Sequence, residues 1–226
     1  MRILAVSTAE TLCSVAFMED GDLVCEESWF DRKTHSKRVM DMIRHILENR
    51  AGVDANDVDA FVAARGPGSF TGLRIGISVA KGLACAANRP AVGVSSMEGL
   101  AYQFSETDLP VVTLMDARRK EVYARRYRFS RGELVEKGPS YALSPSDLIE
   151  MADRETLFVG SGAVVYKDFL ADHLREKARF VPASRNHIKA AALAIPVFND
   201  PGLLEQKADT LVPEYIRKPD AEVNRG

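Results

Sequence analysis

One order of secondary-structure signals occurs twice along this chain, and that repeat limits the fold more than any other feature. In the first half, an apolar run at 3–6 is followed by a second at 12–18, a turn at Glu19-Asp20-Gly21-Asp22, and a third run at 23–30. These predict a strand and a hairpin, because Asp-Gly accepts the positive φ of a two-residue hairpin turn. A helix is expected over 34–50, with Val39, Ile43, Ile46 and Leu47 on one face. A buried strand at 58–64, a helix over 71–87, a strand at 91–94 and a helix capped by Ser95 or Ser96 complete the half.

The pattern restarts with a strand at 111–115. A hairpin of 122–129 and 134–141 turns at Arg131-Gly132, and Ser144-Pro145-Ser146-Asp147 opens a helix. A strand at 156–159 runs into Gly160-Ser161-Gly162 and a helix over 163–173. A short strand at 180–181 and an alanine-rich helix at 188–198, which Pro196 is expected to kink or end, close the second half. Gly21-Asp22-Leu23-Val24 aligns with Gly132-Glu133-Leu134-Val135. The expectation is an α/β chain with a duplicated βββαβα order and two lobes, 1–106 and 107–226. That arrangement resembles the actin-like (ribonuclease H-like) fold of ATPases and sugar kinases.

At 226 residues, the chain is long enough for each lobe to hold its own core. Its net charge of -2 argues against gripping nucleic acid alone, which would call for a basic surplus. Cys13, Cys25 and Cys85 form no C-x-x-C pair and sit among apolar or small neighbours, so they read as reduced, core-facing thiols of a cytoplasmic protein. The opening apolar run is too short for a signal peptide, and Arg74 and Lys81 interrupt the longest helix, so no membrane span is expected.

The segment richest in information is Arg65-Gly66-Pro67-Gly68-Ser69-Phe70-Thr71-Gly72-Leu73-Arg74-Ile75-Gly76. It lies between a strand and a helix, where backbone amides can cradle an anion, so Gly66, Gly68, Ser69 and Thr71 are candidates for an anion or nucleotide contact. It is neither a Walker A loop nor a G-x-G-x-x-G motif. The alternative is a tight strand-to-helix turn. Gly72, Gly76, Ala80 and Ala84 then recur every four residues. Glycine inside a helix costs about 1 kcal/mol relative to alanine. The stripe therefore means close backbone packing, either on the chain's own sheet or on a second subunit. On the second reading, a bulky residue at Gly76 would spare the fold and abolish pairing.

Residues 66–76 resemble the signature of the TsaB (YeaZ) family. The likeness extends to 3–8, to Arg32–Arg38 with His35-Ser36, to Gly93-Val94-Ser95-Ser96, to Met115-Asp116-Ala117-Arg118, and to Pro213-Glu214-Tyr215-Ile216-Arg217. The resemblance implies a non-catalytic dimerization subunit of the machinery that makes N6-threonylcarbamoyladenosine in ANN-decoding tRNAs. It implies pairing with a TsaD-type catalytic subunit, a TsaE-type ATPase as a further partner, and a homodimer when alone. It also implies tRNA contact only through the complex. The implied seam uses the N-lobe helices, with His35, Arg38, Gly72, Leu73, Gly76, Ile77, Ala80 and Ala84 as its residues. No tightly bound cofactor is implied; ATP or ADP would sit at the complex interface.

The alternative, an independent ATPase or kinase, needs acidic, glycine-bearing phosphate hairpins. Ser7-Thr8-Ala9-Glu10-Thr11 lacks glycine and has Ser7 where many family members have Asp. Asp116-Ala117-Arg118-Arg119-Lys120 also lacks glycine, leaving Asp116 as a candidate cation ligand or a turn residue. His35, His45, His173 and His187 are scattered, and Val39 stands where the catalytic relative's second histidine would fall. No H-E-x-x-H or G-x-S-x-G motif is present, which excludes those peptidase classes. Arg118, Arg119, Arg125 and Arg126 read as a solvated strand face or a minor tRNA contact. Trp29 and Phe30 read as core or seam.

Overall fold

The computed structural model describes residues 1–30, 35–117, 120–206 and 208–216, without the side chains of 35–37 and 209. The chain divides into two units, Met1–Gly99 with Ile188–Glu214, and Leu100–His187 with the remainder.

The first unit holds a five-stranded sheet of β1 (Arg2–Ser7), β2 (Leu12–Glu19), β3 (Asp22–Phe30), β4 (Ala60–Gly66) and β5 (Ala91–Ser95). Its order is β3-β2-β1-β4-β5. The hairpin strands are antiparallel, and β4 and β5 run parallel to β1. Parallel neighbours need crossovers, supplied by α1 (His35–Arg44), which continues as a π-helical stretch over His45–Ala51, and by α2 (Phe70–Ala87). Val39, Ile43, Ile46 and Leu47 are all buried, as their spacing predicts. They pack with Leu4, Val6, Phe17 and Phe61 of the sheet and Ile77, Ala80 and Ala84 of α2.

The second unit repeats the topology with β6 (Val111–Asp116), β7 (Val122–Ser130), β8 (Glu133–Lys137), β9 (Tyr141–Leu143), β10 (Thr156–Val159) and β11 (Ala178–Phe180). The order β11-β10-β6-β7-β8 matches the first sheet strand for strand, with β9 added on β7. Both hairpins turn on two residues of positive φ, Asp20-Gly21 (51° and 95°) and Arg131-Gly132 (53° and 82°). That is the turn whose twist suits paired strands. Both hairpins also carry a register shift just before the turn, at Phe17/Met18 and at Arg128/Phe129. The duplicated actin-like fold is therefore present down to its irregularities.

The copies differ in their helices. Where the first unit has α1, the second has a 3-10 turn at Asp147–Met151. Where it has α2, the second has α4 (Ser161–Val165) and α5 (Lys167–Leu174), broken at Tyr166. The strand expected over 134–141 divides into β8 and β9 because Gly138-Pro139 intervenes, and proline has no amide to donate.

The sequence boundary at 106/107 places residues 188–214 in the second lobe, whereas the structure groups them with the first unit. The cause is α6 (Ala190–Asn199), which packs on β1 and β2. Its first amides need acceptors. The Ala190 amide donates to Ser14 Oγ at 3.1 Å and the Ala191 amide to Glu26 Oε1 at 3.1 Å. Lys189 Nζ reaches Ser28 Oγ at 3.0 Å. On α3 (Ser96–Tyr102), Gly99 leaves room for the Leu193 side chain of α6. Pro196 lies inside α6 rather than ending it, three residues before its last.

Of the three cysteines, Cys13 and Cys25 are buried as expected, but Cys85 is exposed on α2. Burial pushes the Cys13 thiol up to about 11, so little thiolate exists there at neutral pH. With excess Ellman's reagent at pH 8, one thiol is expected to react quickly in the native protein and three after unfolding in guanidinium. Three fast-reacting native thiols would contradict the buried placement.

Candidate docking face on the first unit

α2 has two faces of different character. Its inward face is the small-residue stripe. Gly72 lies against the Thr8 carbonyl so closely that an added Cβ would collide with it, and an added Cβ at Gly76 would stand 2.5 Å from Thr8 Oγ1. Thr8 Oγ1 donates to the Gly72 carbonyl at 2.7 Å. Gly72, Leu73, Gly76, Ile77, Ala80 and Ala84 are all buried within this unit. The structure places these six residues, expected at a subunit seam, inside the unit rather than on its surface. The close backbone approach signalled by the stripe is met inside the chain, by the turn after β1.

The glycine loop is likewise engaged by its own chain. The Ser69 amide donates to the Ala9 carbonyl at 2.7 Å, and Ser69 Oγ accepts from the Gly72 amide at 3.2 Å as the helix cap. Gly68 packs against Ala9, and Gly66 against the carbonyl of Glu214. Of the four anion candidates, Gly66 is buried, while Gly68, Ser69 and Thr71 are exposed. Ser7 is fully buried, whereas Asp116 is exposed with its amide on Ser161 Oγ at 3.2 Å. Among the described residues, no three His, Cys, Asp or Glu side chains come together as a cation site would require.

The outward face of α2 presents Phe70, Thr71, Arg74, Ile75, Ser78 and Val79 along an open groove of about 450 Å³. These positions follow the spacing of one helical face. The Arg74 guanidinium lies 3.8 Å over the Phe70 ring, an arrangement that keeps a large apolar surface beside a fixed charge. α1 lies alongside α2. Next to it, the Arg38 guanidinium sits 3.9 Å over Trp29, with Phe30 and Met40 also exposed. Trp29 and Phe30, at 43% and 62% exposure, are thus not core residues. Aromatic, Met and Arg side chains are the types enriched at protein interfaces. Arg38 is the one expected seam residue found exposed; the side chain of His35 lies outside the described residues.

α2 is also long and apolar enough to cross a membrane by length and composition, with mean hydropathy 1.2 over 18 residues. In this fold the helix packs along β4 and β1. Its apolarity exceeds what one buried face needs, and that excess was the sequence signal for the outward face.

The arginines of β7 are held locally. Arg125 Nε donates to the Gly138 carbonyl at 2.7 Å, Arg126 pairs with Asp153 at 2.9 Å, and Arg128 pairs with Glu136 at 3.1 Å. Arg118 and Arg119 lie outside the described residues.

A family model described as TsaD: tRNA N6-adenosine threonylcarbamoyltransferase matches residues 30–225. With the fold above, this sets the class: an actin-like chain related to tRNA threonylcarbamoyltransferases. A tRNA N6-adenosine threonylcarbamoyltransferase of Kosmotoga olearia is 29% identical, but the match spans 51% of this chain and 40% of that protein. The full-length likeness lies elsewhere. The chain is 33% identical to the tRNA threonylcarbamoyladenosine biosynthesis protein TsaB of Bacillus subtilis, over 98% of this chain and 96% of that protein. It is 32% identical to TsaB of Escherichia coli K12, over 84% and 86%. The structure of YeaZ from Pseudomonas aeruginosa superposes with a TM-score of 0.82 at 29% identity, over 95% of this chain and 99% of that one. The chain belongs to the TsaB family.

Proposed function

We propose that this chain is a non-catalytic scaffold required to form N6-threonylcarbamoyladenosine in ANN-decoding tRNAs, acting by pairing with a TsaD-type catalytic subunit. The observation that carries the reading is the apolar, arginine-edged outward face of α2 in a chain that matches the Bacillus subtilis TsaB over 96% of that protein. The docking residues are Arg38, Phe70, Thr71, Arg74, Ile75, Ser78 and Val79. The same face serves a homodimer when the catalytic subunit is absent. A TsaE-type ATPase joins the assembled pair, and ATP or ADP sits at the complex interface rather than in this chain. tRNA is held by the complex, in the cytoplasm, which suits a chain of net charge -2. An independent kinase would need a phosphate cradle after β1, where Ala9 instead occupies the Ser69 amide.

The test is mass spectrometry of tRNA nucleosides from cells depleted of this protein. Threonylcarbamoyladenosine is expected to disappear and to return with the intact gene. Unchanged modification under confirmed depletion would overturn the proposal.

A further inference from the structure

The segment after α6 returns to the glycine loop at the start of α2. Leu211 is 4% exposed and belongs to the apolar cluster that includes Ile77, Ala80 and Ala84 of α2. It fills space left by Gly93 of β5, where an added Cβ would collide with its side chain. Lys81 Nζ, on α2, donates to the Leu211 carbonyl at 3.4 Å. The Glu214 amide donates to the Arg65 carbonyl at 2.6 Å, and Arg65 Nη2 pairs with Glu214 Oε2 at 3.2 Å. The Glu214 carbonyl lies against Gly66, whose φ is +130°. Residues 208–214 therefore touch the end of β4, just ahead of the loop that opens α2, and the middle of α2 itself. Every one of these contacts lies within the first unit.

We infer that residues 208–214 act as a latch, closed by the Arg65–Glu214 pair, that fixes the start of α2 and so presets its outward face for docking. This rests on the docking reading above. The physical case is one of preorganisation. A helix held along its sheet side, together with the strand end that leads into it, loses less freedom when its other side meets a partner, so affinity rises without any contact made by the latch. Arg65 and Glu214 are half-exposed, at 45% and 39%, so changing them leaves the core intact. Reversing either charge turns their attraction into repulsion, and reversing both restores it.

The experiment compares Arg65→Glu, Glu214→Arg and the double exchange in the full chain. One readout is amide hydrogen exchange over residues 68–76; the other is the affinity for a purified TsaD-type subunit. Each single variant is expected to speed exchange and weaken docking by roughly five- to tenfold, the scale of a modest coupling free energy. The double exchange is expected to recover both. Wild-type exchange and affinity in both single variants would overturn the latch, as would a double exchange that recovers neither. Ser78→Arg, placed on the outward face, separates the two readings. If it leaves affinity unchanged, the docking face is misassigned, and the exchange readout still decides whether the latch holds α2.

Discussion

Replacing Gly76 with leucine is expected to cost this chain about 3–4 kcal/mol of folding stability. The first added carbon would already stand 2.5 Å from Thr8 Oγ1, which donates to Gly72 inside the unit. Overpacking a well-filled site costs about 1–3 kcal/mol and sometimes more. Disrupting a buried hydrogen bond adds about 1 kcal/mol or more. Against a total of about 5–15 kcal/mol for a typical domain, that is a large fraction. The control lies six residues further along the same helix. A methyl group added at Gly82 would meet nothing within 4 Å, so Gly82→Ala is expected to gain about 0.5–1 kcal/mol from helix propensity alone. Urea unfolding measures both. A stable Gly76→Leu chain would show that the stripe faces away from the sheet, returning it to the role of a subunit seam.

The second large effect concerns association. Arg74→Glu with Ser78→Arg alters two exposed positions on the outward face of α2. Stability is expected to change by no more than about 0.5 kcal/mol, as is usual for surface sites. Affinity for a TsaD-type subunit is expected to fall by about a hundredfold, equivalent to about 2.7 kcal/mol. Calorimetric titration alongside thermal melting separates the two quantities. Full affinity in a folded double variant would remove this face from the docking surface.

Much of the fold was legible because duplication doubled each signal. The paired Asp20-Gly21 and Arg131-Gly132 turns fixed both hairpins, and the spacing of Val39, Ile43, Ile46 and Leu47 fixed the buried side of α1. What escaped was non-local. Nothing at residues 188–214 announces that Ser14 and Glu26 will receive the first amides of α6, a pairing across more than 160 positions. Pro196 was expected to interrupt that helix, but the helix carries it within its last turns. The helix over 71–87 was legible, though its orientation was not. A four-residue stripe of glycine and alanine reports that another backbone comes close, without reporting whose. Here it is Thr8 of the same chain, so the outward side of the helix is marked by Ile75 and Val79 rather than by Gly76 and Ala80.

The inequality of the two copies has a consequence for assembly. Identical strand orders could have supplied two equivalent sticky helices per chain, and a body with two such patches can add copies end to end without limit. The second copy instead has a 3-10 turn and a helix broken at Tyr166 at the corresponding places. With the long helix pair confined to one copy, docking as proposed above would give the chain a valence of one, and association through that face would close at a pair. A sister chain and a catalytic relative would then compete for one surface. The amount of each pair would be tied to the relative abundance of the two proteins.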